Sequence, residues 1–395
     1  MSIFAAAMTG MGTGAISTIQ VLGDSAEGVL RQLFKPKRST PAAFRAGDIL
    51  IGAICDADHV IDQVTLGCEG PASFAIHCHG NPLIVEMIMQ LLQRHGAVLL
   101  TPEQFMAGTL AHRPPGNTIK IEAQLAQPRI RTLQGAKIIA GQIHAGLTQK
   151  SRDWLSHIDQ VALDTIQTEA TKILEESQAA RLVIFGCTAV LAGPPNSGKS
   201  TLLNHLAGRQ KSIVTDIEGT TRDWVEAACR VGPLSVTLID TAGLVGELSG
   251  TEQTVEAAAQ RKTVEILNRA DLVLLVLDGS QPSERFDDHT SERIAGKKVV
   301  TILNKSDLPA RFNAERLPSI FSNIVRISAK QGTGIETLKD RICRTVGVSS
   351  FDPRRPICFT ARQEELLKQL TTAQSAQHAA SVIAELSSGP LNRPA

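Results

Sequence analysis

No apolar run in the 395 residues reaches the roughly eighteen that a bilayer crossing requires, and no charged-then-apolar leader opens the chain. Neither membrane insertion nor secretion is expected. An excess of one charge is also missing: 40 basic and 39 acidic residues leave a net charge of +1, so no global field draws nucleic acid. Any RNA contact has to come from a local patch. Cysteine is scarce, seven residues without a C-x-x-C pair, and the odd count argues against a disulfide framework or a zinc knuckle. A reducing, cytoplasmic setting fits.

What the chain does have is length and apolar content. At 43% hydrophobic residues it can bury two or three cores, and several domains are expected. From residue 1 to 112 short β-type runs dominate: Phe4 to Met8, Ala15 to Val21, Asp48 to Cys55, Val60 to Leu66 and Ser73 to His79. One helix, Asn81 to Arg94, is expected on that sheet, which makes an α+β N-terminal domain. His77 and His79 share a strand face, but two histidines are half a tetrahedral site, so a strand end turning into a helix is the reading preferred over a metal. Arg113 to Asn117 marks a boundary. Residues 117–186 read as helical, with Ile119 to Thr148 and Asp153 to Ala180 as the helices and Trp154, Ile158, Val161, Ile166 and Ile173 on one buried stripe. Residues 356–388 supply a further helix, Arg362 to Leu386, expected to complete the same bundle, with a disordered tail from Ser387.

Between these helical parts, residues 187–348 alternate strand and helix. Strands begin near Thr188, Val225, Ser235, Leu272, Val299 and Val325, and helices lie near Ser200, Glu256, His289 and Ile335. The fold class is therefore an α/β P-loop domain inserted in a helical bundle domain and preceded by the α+β domain.

The chemistry sits on the loops that leave those strands. Gly193-Pro-Pro-Asn-Ser-Gly-Lys-Ser200 follows an apolar strand and opens a helix, the context of a phosphate-binding loop. Asn196, Ser197, Gly198, Lys199, Ser200 and Thr201 line it, with Lys199 for the outer phosphates and the Ser200 hydroxyl for Mg²⁺. Asp240-Thr-Ala-Gly243 follows a second strand, with Asp240 placed for the Mg²⁺ water shell and the Gly243 N–H for the γ-phosphate. After a third strand, Asn304-Lys-Ser-Asp307 selects guanine. A buried Asp307 accepts from N1 and N2, Asn304 fixes ring and loop, and the Lys305 stem covers the base. Ser328 and Ala329 offer backbone N–H to the guanine O6. Thr221, in the loop before Val225, can close on Mg²⁺ and the γ-phosphate and release them after hydrolysis. Leu244 stands where a glutamine could aim the attacking water, so that role falls elsewhere. A GTP-hydrolysing enzyme is the reading.

The P-loop, the Ile213-Val-Thr-Asp-Ile-Glu-Gly-Thr-Thr-Arg-Asp223 loop and Asp240-Thr-Ala-Gly-Leu244 resemble those of the TrmE/MnmE family of tRNA modification GTPases. Ala15 to Gly23, Ile76 to Gly80 and Leu133 to Leu147 extend the resemblance over most of the chain. It implies a folate-binding N-terminal domain, with a tetrahydrofolate derivative as cofactor, that pairs two chains into a homodimer. It also implies a helical domain interrupted by the G domain, and an FAD-dependent partner, MnmG, acting with it on the wobble uridine of certain tRNAs. The family's catalysis uses a K⁺ ion completed by G-domain pairing. Asn196 with the backbone of Thr215, Ile217 and Thr220 would be its ligands here, and Glu256, with Glu252 as the second choice, would orient water. The chain diverges from the family pattern in four places: no Cys-x-Gly-Lys follows Cys358, the glycine loop at Gly10 to Gly14 lacks its arginine, Gly70 to Ser73 replace the acidic stretch before His77, and the helical segment between Gly146 and Thr188 is short. The alternative these departures carry is a family-derived GTPase switch that has lost the modification role and binds RNA or a ribosomal particle.

Overall fold

The computed structural model describes residues 3–9, 14–37, 44–70, 72–111, 117–208, 225–240, 266–282, 294, 296–349 and 352–390. The chain divides into two compact units, Met1–Gly116 with Pro390–Ala395 and Asn117–Gly389.

In the first unit, alternating apolar residues build a seven-stranded sheet. Its strands are β1 (Ile3–Ala7), β2 (Ile16–Leu22), β3 (Phe34–Pro36), β4 (Ile49–Asp56), β5 (His59–Gly70), β6 (Ser73–His79) and β7 (Ala97–Leu99), in the order β3-β4-β5-β6-β2-β1-β7. All neighbours are antiparallel except β1 and β7. Phe74, Ile76 and Cys78 on β6 and Ile19 and Val21 on β2 point into the core, where they meet Ile88, Leu91 and Leu92 of α2 (Pro82–Arg94). Asn81 caps α2 by accepting from the Leu83 N–H, and Pro82 begins it, a start signal visible in the sequence.

The expectation of one helix in this unit is corrected to three among the described residues. α1 (Ala26–Leu33) buries Ala26, Leu30 and Leu33 at helical spacing but is only eight residues long, too short for its periodicity to stand out. α3 (Pro102–Ala111) starts at a reciprocal cap: Gln104 N–H donates to Thr101 Oγ1 at 3.2 Å, and Thr101 N–H donates to Gln104 Oε1 at 3.0 Å. That Thr-x-x-Gln signal was available in the sequence.

The second unit opens with helices. The helical stretch expected over Ile119 to Thr148 consists of α4 (Thr118–Ala126), α5 (Leu133–His144) and the start of α6 (Gly146–Ser156). Pro128 lies in the short 3₁₀ turn that ends α4, and Thr132 caps α5. The helix expected from Asp153 is likewise the end of α6 followed by α7 (Leu163–Phe185), so the apolar stripe from Trp154 to Ile173 spans two helices and the turn between them. Trp154 is buried, with its indole N–H donating to Glu169 Oε2 at 2.7 Å.

A six-stranded sheet follows: β8 (Cys187–Ala192), β9 (Val225–Val231), β10 (Leu234–Asp240), β11 (Leu272–Asp278), β12 (Val299–Asn304) and β13 (Ile324–Arg326), in the order β13-β12-β11-β8-β10-β9. Only the β9–β10 pair is antiparallel. Strands buried on both faces need apolar residues throughout, and β11 and β12 are nearly unbroken apolar runs. The described helices of this part are α8 (Lys199–Ala207) and α9 (Ile335–Val346); those expected near Glu256 and His289 lie outside the described residues. One sheet face, with Ala189, Leu191, Val236, Leu274 and Ile302, shares a continuous core with Ile138, Val183 and Ile184 of the helices.

The C-terminal helix expected from Arg362 to Leu386 is two, α10 (Ala361–Thr371) and α11 (Ala376–Ser388), because Ser375 caps a new start by accepting from the His378 N–H. Helix α11 runs through Ser387 and Ser388, where a disordered tail was expected to begin. α10 packs on α7, and α11 packs on α6 and α4, so helices on both sides of the six-stranded part cover one another.

Candidate functional site

Parallel strands bring their C-terminal ends to one edge. The ends of β8, β10, β11 and β12 lie side by side, with Asp240 opposite Leu191 and Asp278 opposite Asn304. Every loop described below leaves that edge.

The turn after β8 is compact because two glycines permit it. At Gly193, φ is 137°, and a Cβ would fall 2.1 Å from the Val276 carbonyl oxygen. At Gly198, φ is 94°, and a Cβ would fall 2.2 Å from the Asn304 side-chain nitrogen. No other residue fits either place without displacing backbone or breaking that contact. Asn196 also takes a left-handed conformation, φ 60°, which asparagine accepts more readily than most residues, and it stands exposed on the outer side of the turn.

Lys199, only 6% exposed, donates from Nζ to the carbonyl oxygens of Gly193 (3.0 Å) and Pro194 (2.9 Å). Burial pushes its pKa below the usual lysine value, and the Asp240 charge opposes that shift. Next to it, the exposed Ser200 donates from Oγ to Asp240 Oδ2 at 2.7 Å. Two hard oxygen donors converge there, a donor set suited to Mg²⁺ completed by water and phosphate oxygen. Thr201, one residue further along α8, is exposed.

Asn304 ties three loops together. Its Nδ2 donates to the Ser197 carbonyl at 2.9 Å, and its Oδ1 accepts from the Ala329 N–H at 2.9 Å. The Ser328 N–H donates to the Thr333 carbonyl at 3.0 Å, so both backbone donors expected for guanine O6 already have partners within the protein. Asp307 was expected buried; the structure leaves it exposed, because it sits past the end of β12 on the outer side of the loop. Its Oδ1 accepts from Ser328 Oγ at 2.6 Å, and that bond holds its carboxyl below the usual range, so the acceptor is ionised at neutral pH.

Asn196, Ser197, Gly198, Lys199, Ser200, Thr201, Asp240, Asn304, Lys305, Asp307, Ser328 and Ala329 therefore lie at one edge, where hydrogen bonds join Ser200 to Asp240, Asn304 to Ser197 and Ala329, and Asp307 to Ser328. Thr215, Ile217, Thr220, Thr221, Gly243, Glu252 and Glu256 lie outside the described residues. Sequence reasoning missed Asp278, whose Oδ2 accepts from Lys305 Nζ at 2.6 Å. The available signal was an Asp-Gly-Ser turn at the end of a fully apolar strand, in register with the Asn304 loop. In the first unit, His77 and His79 have separate partners, Thr18 Oγ1 at 3.0 Å and Asp62 Oδ1 at 2.7 Å. Asp62, a neighbour only through the β4-β5-β6 fold, was not visible from sequence spacing.

A phosphate turn between β8 and α8, an aspartate at the end of β10 beside the α8 hydroxyl, and an Asn-Lys-x-Asp loop braced against both define a P-loop guanine-nucleotide-binding protein. A family model described as "GTP-binding protein TrmE N-terminus" matches residues 3–107, and one described as "50S ribosome-binding GTPase" matches residues 188–305. The chain is 31% identical over 377 residues to the tRNA modification GTPase MnmE of Lactiplantibacillus plantarum, across 86% of this chain and 80% of that protein. It is 30% identical over 414 residues to the tRNA modification GTPase MnmE of Heliobacterium modesticaldum, across 92% and 87% of the two chains. Among solved structures, the G domain of the T. maritima FeoB iron transporter is 25% identical, over 40% of this chain and 98% of that one, with a TM-score of 0.29. The chain belongs to the MnmE/TrmE family and is a GTPase.

Proposed function

We propose that this GTPase hydrolyses GTP in the service of tRNA wobble-uridine modification, working in the cytoplasm as a homodimer with an FAD-dependent, MnmG-like partner. The observation that carries the nucleotide part is the Asn304 side chain, which braces the phosphate turn and the Ser328–Ala329 loop at once. The modification role rests on likeness to relatives whose names state it, along most of both chains.

In this reading the G domain is an insertion in the helical domain, so its movement is transmitted to α7 and α10 through the shared core. GTP binding draws Lys199 Nζ off the Gly193 and Pro194 carbonyls onto the outer phosphates; the charge it meets there offsets the lost bonds. Ser200 and Thr221 would hold Mg²⁺, with Asp240, which now accepts from Ser200 Oγ, at the ion's water shell; the ion would supply positive charge against the phosphates. Asp307 accepts from guanine N1 and N2, and Ala329 N–H shares its bond with Asn304 between that side chain and guanine O6. Asn196, with the Thr215, Ile217 and Thr220 carbonyls, would hold K⁺, whose positive charge opposes the charge gathering on the transferred phosphoryl group. Glu256 orients the water. A tetrahydrofolate derivative belongs to the first unit in this reading.

Two measurements test the proposal. Purified protein is expected to release phosphate from GTP and not from ATP; equal use of both nucleotides removes the guanine assignment. Cells lacking this chain are expected to lose the modified wobble uridine, and unchanged modification removes the tRNA role.

A further inference from the structure

We propose that Asp278 is a positioning residue for the guanine base, acting through Lys305; the inference rests on the guanine-nucleotide reading of this edge. Lysine carries a long stem with many rotamers, and a stem that serves as a platform for a ring has to be held at both ends. Here it is. At the root, Lys305 has φ 65°, a conformation that a lysine keeps only when its surroundings impose it. They do so through the Ser306 N–H, which donates to the Ile327 carbonyl at 3.0 Å, and through Asn304, fixed on three sides. At the tip, Nζ donates to Asp278 Oδ2 at 2.6 Å, at the end of the neighbouring strand. The four-carbon stem thus spans the ends of β11 and β12 as a fixed apolar ledge beside Asp307.

Asp278 is itself immobilised. Its Oδ1 accepts from the Ser280 N–H at 2.9 Å and from Ser280 Oγ at 2.6 Å. The turn it begins is locked onto the Lys305 loop: Gly279 N–H donates to the Asn304 carbonyl at 2.8 Å, and the Arg311 and Phe312 N–H groups donate to the Gly279 carbonyl at 3.0 and 3.2 Å. The pair is only partly exposed, 33% for the lysine side chain and 14% for the aspartate. Partial burial raises the Asp278 pKa, but the bonds from Lys305 and Ser280 outweigh it and keep the carboxyl below its usual range. The phosphate turn is met by Asn304 Nδ2, whereas Asp278 binds Lys305 and Ser280, so the device acts on the base and leaves the transferred group alone. Ordering the lysine before the ligand arrives removes a cost that binding would otherwise carry.

The test is a double-substitution cycle on the full chain, read by fluorescent GDP binding and by GTP hydrolysis. Asp278→Asn and Lys305→Met are each expected to weaken GDP binding about tenfold, and the double variant no further, because the aspartate acts only through the lysine. In hydrolysis, KM rises and kcat holds. Lys305→Arg, which keeps a cation within reach of Asp278, retains affinity within about threefold and reads the same pair should Asp278→Asn not fold. Additive losses, a fall in kcat, unchanged GDP affinity in Asp278→Asn, or equal losses in Lys305→Arg and Lys305→Met would each overturn the proposal. A wild-type chain that binds no GDP would instead overturn the guanine reading beneath it.

Discussion

Glu122 and Arg362 stand 240 positions apart in sequence and form a two-point ion pair, Nε to Oε1 and Nη2 to Oε2, both at 3.0 Å, with their side chains 4% and 8% exposed. Thr360 Oγ1 and Gln363 Nε2 donate to the same carboxylate at 2.7 Å, and Arg362 reaches on to the carbonyls of Glu385 and Leu386. The pair joins α4, before the nucleotide part, to α10 and α11, after it.

Because both charges are buried, removing one strands the other. Arg362→Met is expected to destabilise the second unit by about 3–5 kcal/mol, measured by urea unfolding. Replacing both, Glu122→Leu with Arg362→Met, is expected to recover most of that loss. A single variant as stable as the wild type would mean that water already reaches the pair.

Asp307 is expected to decide the base. Asp307→Asn loses the acceptor for guanine N1 and N2, so GTP affinity falls on the order of 10²- to 10⁴-fold. The new amide can donate to the carbonyl that xanthine carries at that edge, so xanthosine triphosphate is expected to bind the variant better than GTP does. Competition binding with both nucleotides reads this directly.

The cation reading makes a prediction about salt. GTP hydrolysis in K⁺ is expected to exceed that in Na⁺ at equal ionic strength by about tenfold or more, since a fixed positive charge at the phosphoryl group acts as an arginine would. Asn196→Ala is expected to abolish the difference while leaving GDP binding within a few-fold. Equal rates in the two salts would remove the mechanism.

All seven cysteines are free and buried. Burial pushes the Cys187 thiol up to about 12 and the Cys229 thiol up to about 11. A thiol raised in the folded state favours folding fully below its unfolded value near 9, and that contribution is lost as pH climbs toward 11–12. The unfolding midpoint is therefore expected to fall as pH rises above about 9. At pH 8 a thiol reagent is expected to label the native protein slowly and all seven cysteines once it is denatured. Rapid native labelling would show that this core opens.

The sequence by itself determined the order and placement of the site. Strands β11 and β12 were legible because a strand buried on both faces must be apolar throughout, β9 and β10 because their buried and outward residues alternate, and each motif was legible because it follows an apolar strand. Gly193 and Gly198 belong to the same class, since a positive φ and a close neighbour, the Val276 carbonyl at one and the Asn304 side-chain amide at the other, leave no other choice there. Helix breaks were less legible: Pro128, Thr132 and Ser375 end or restart helices that periodicity alone reads as continuous. What only the tertiary structure decided is which distant polar groups meet. Asp278 with Lys305, His79 with Asp62 and Glu122 with Arg362 each join two different elements, 27, 17 and 240 positions apart. A charged side chain looks the same in sequence whether it ends in water or against a partner. Local pattern records the period of an element and the chemistry of its ends, whereas partnership between charges is set by packing, which the period does not encode.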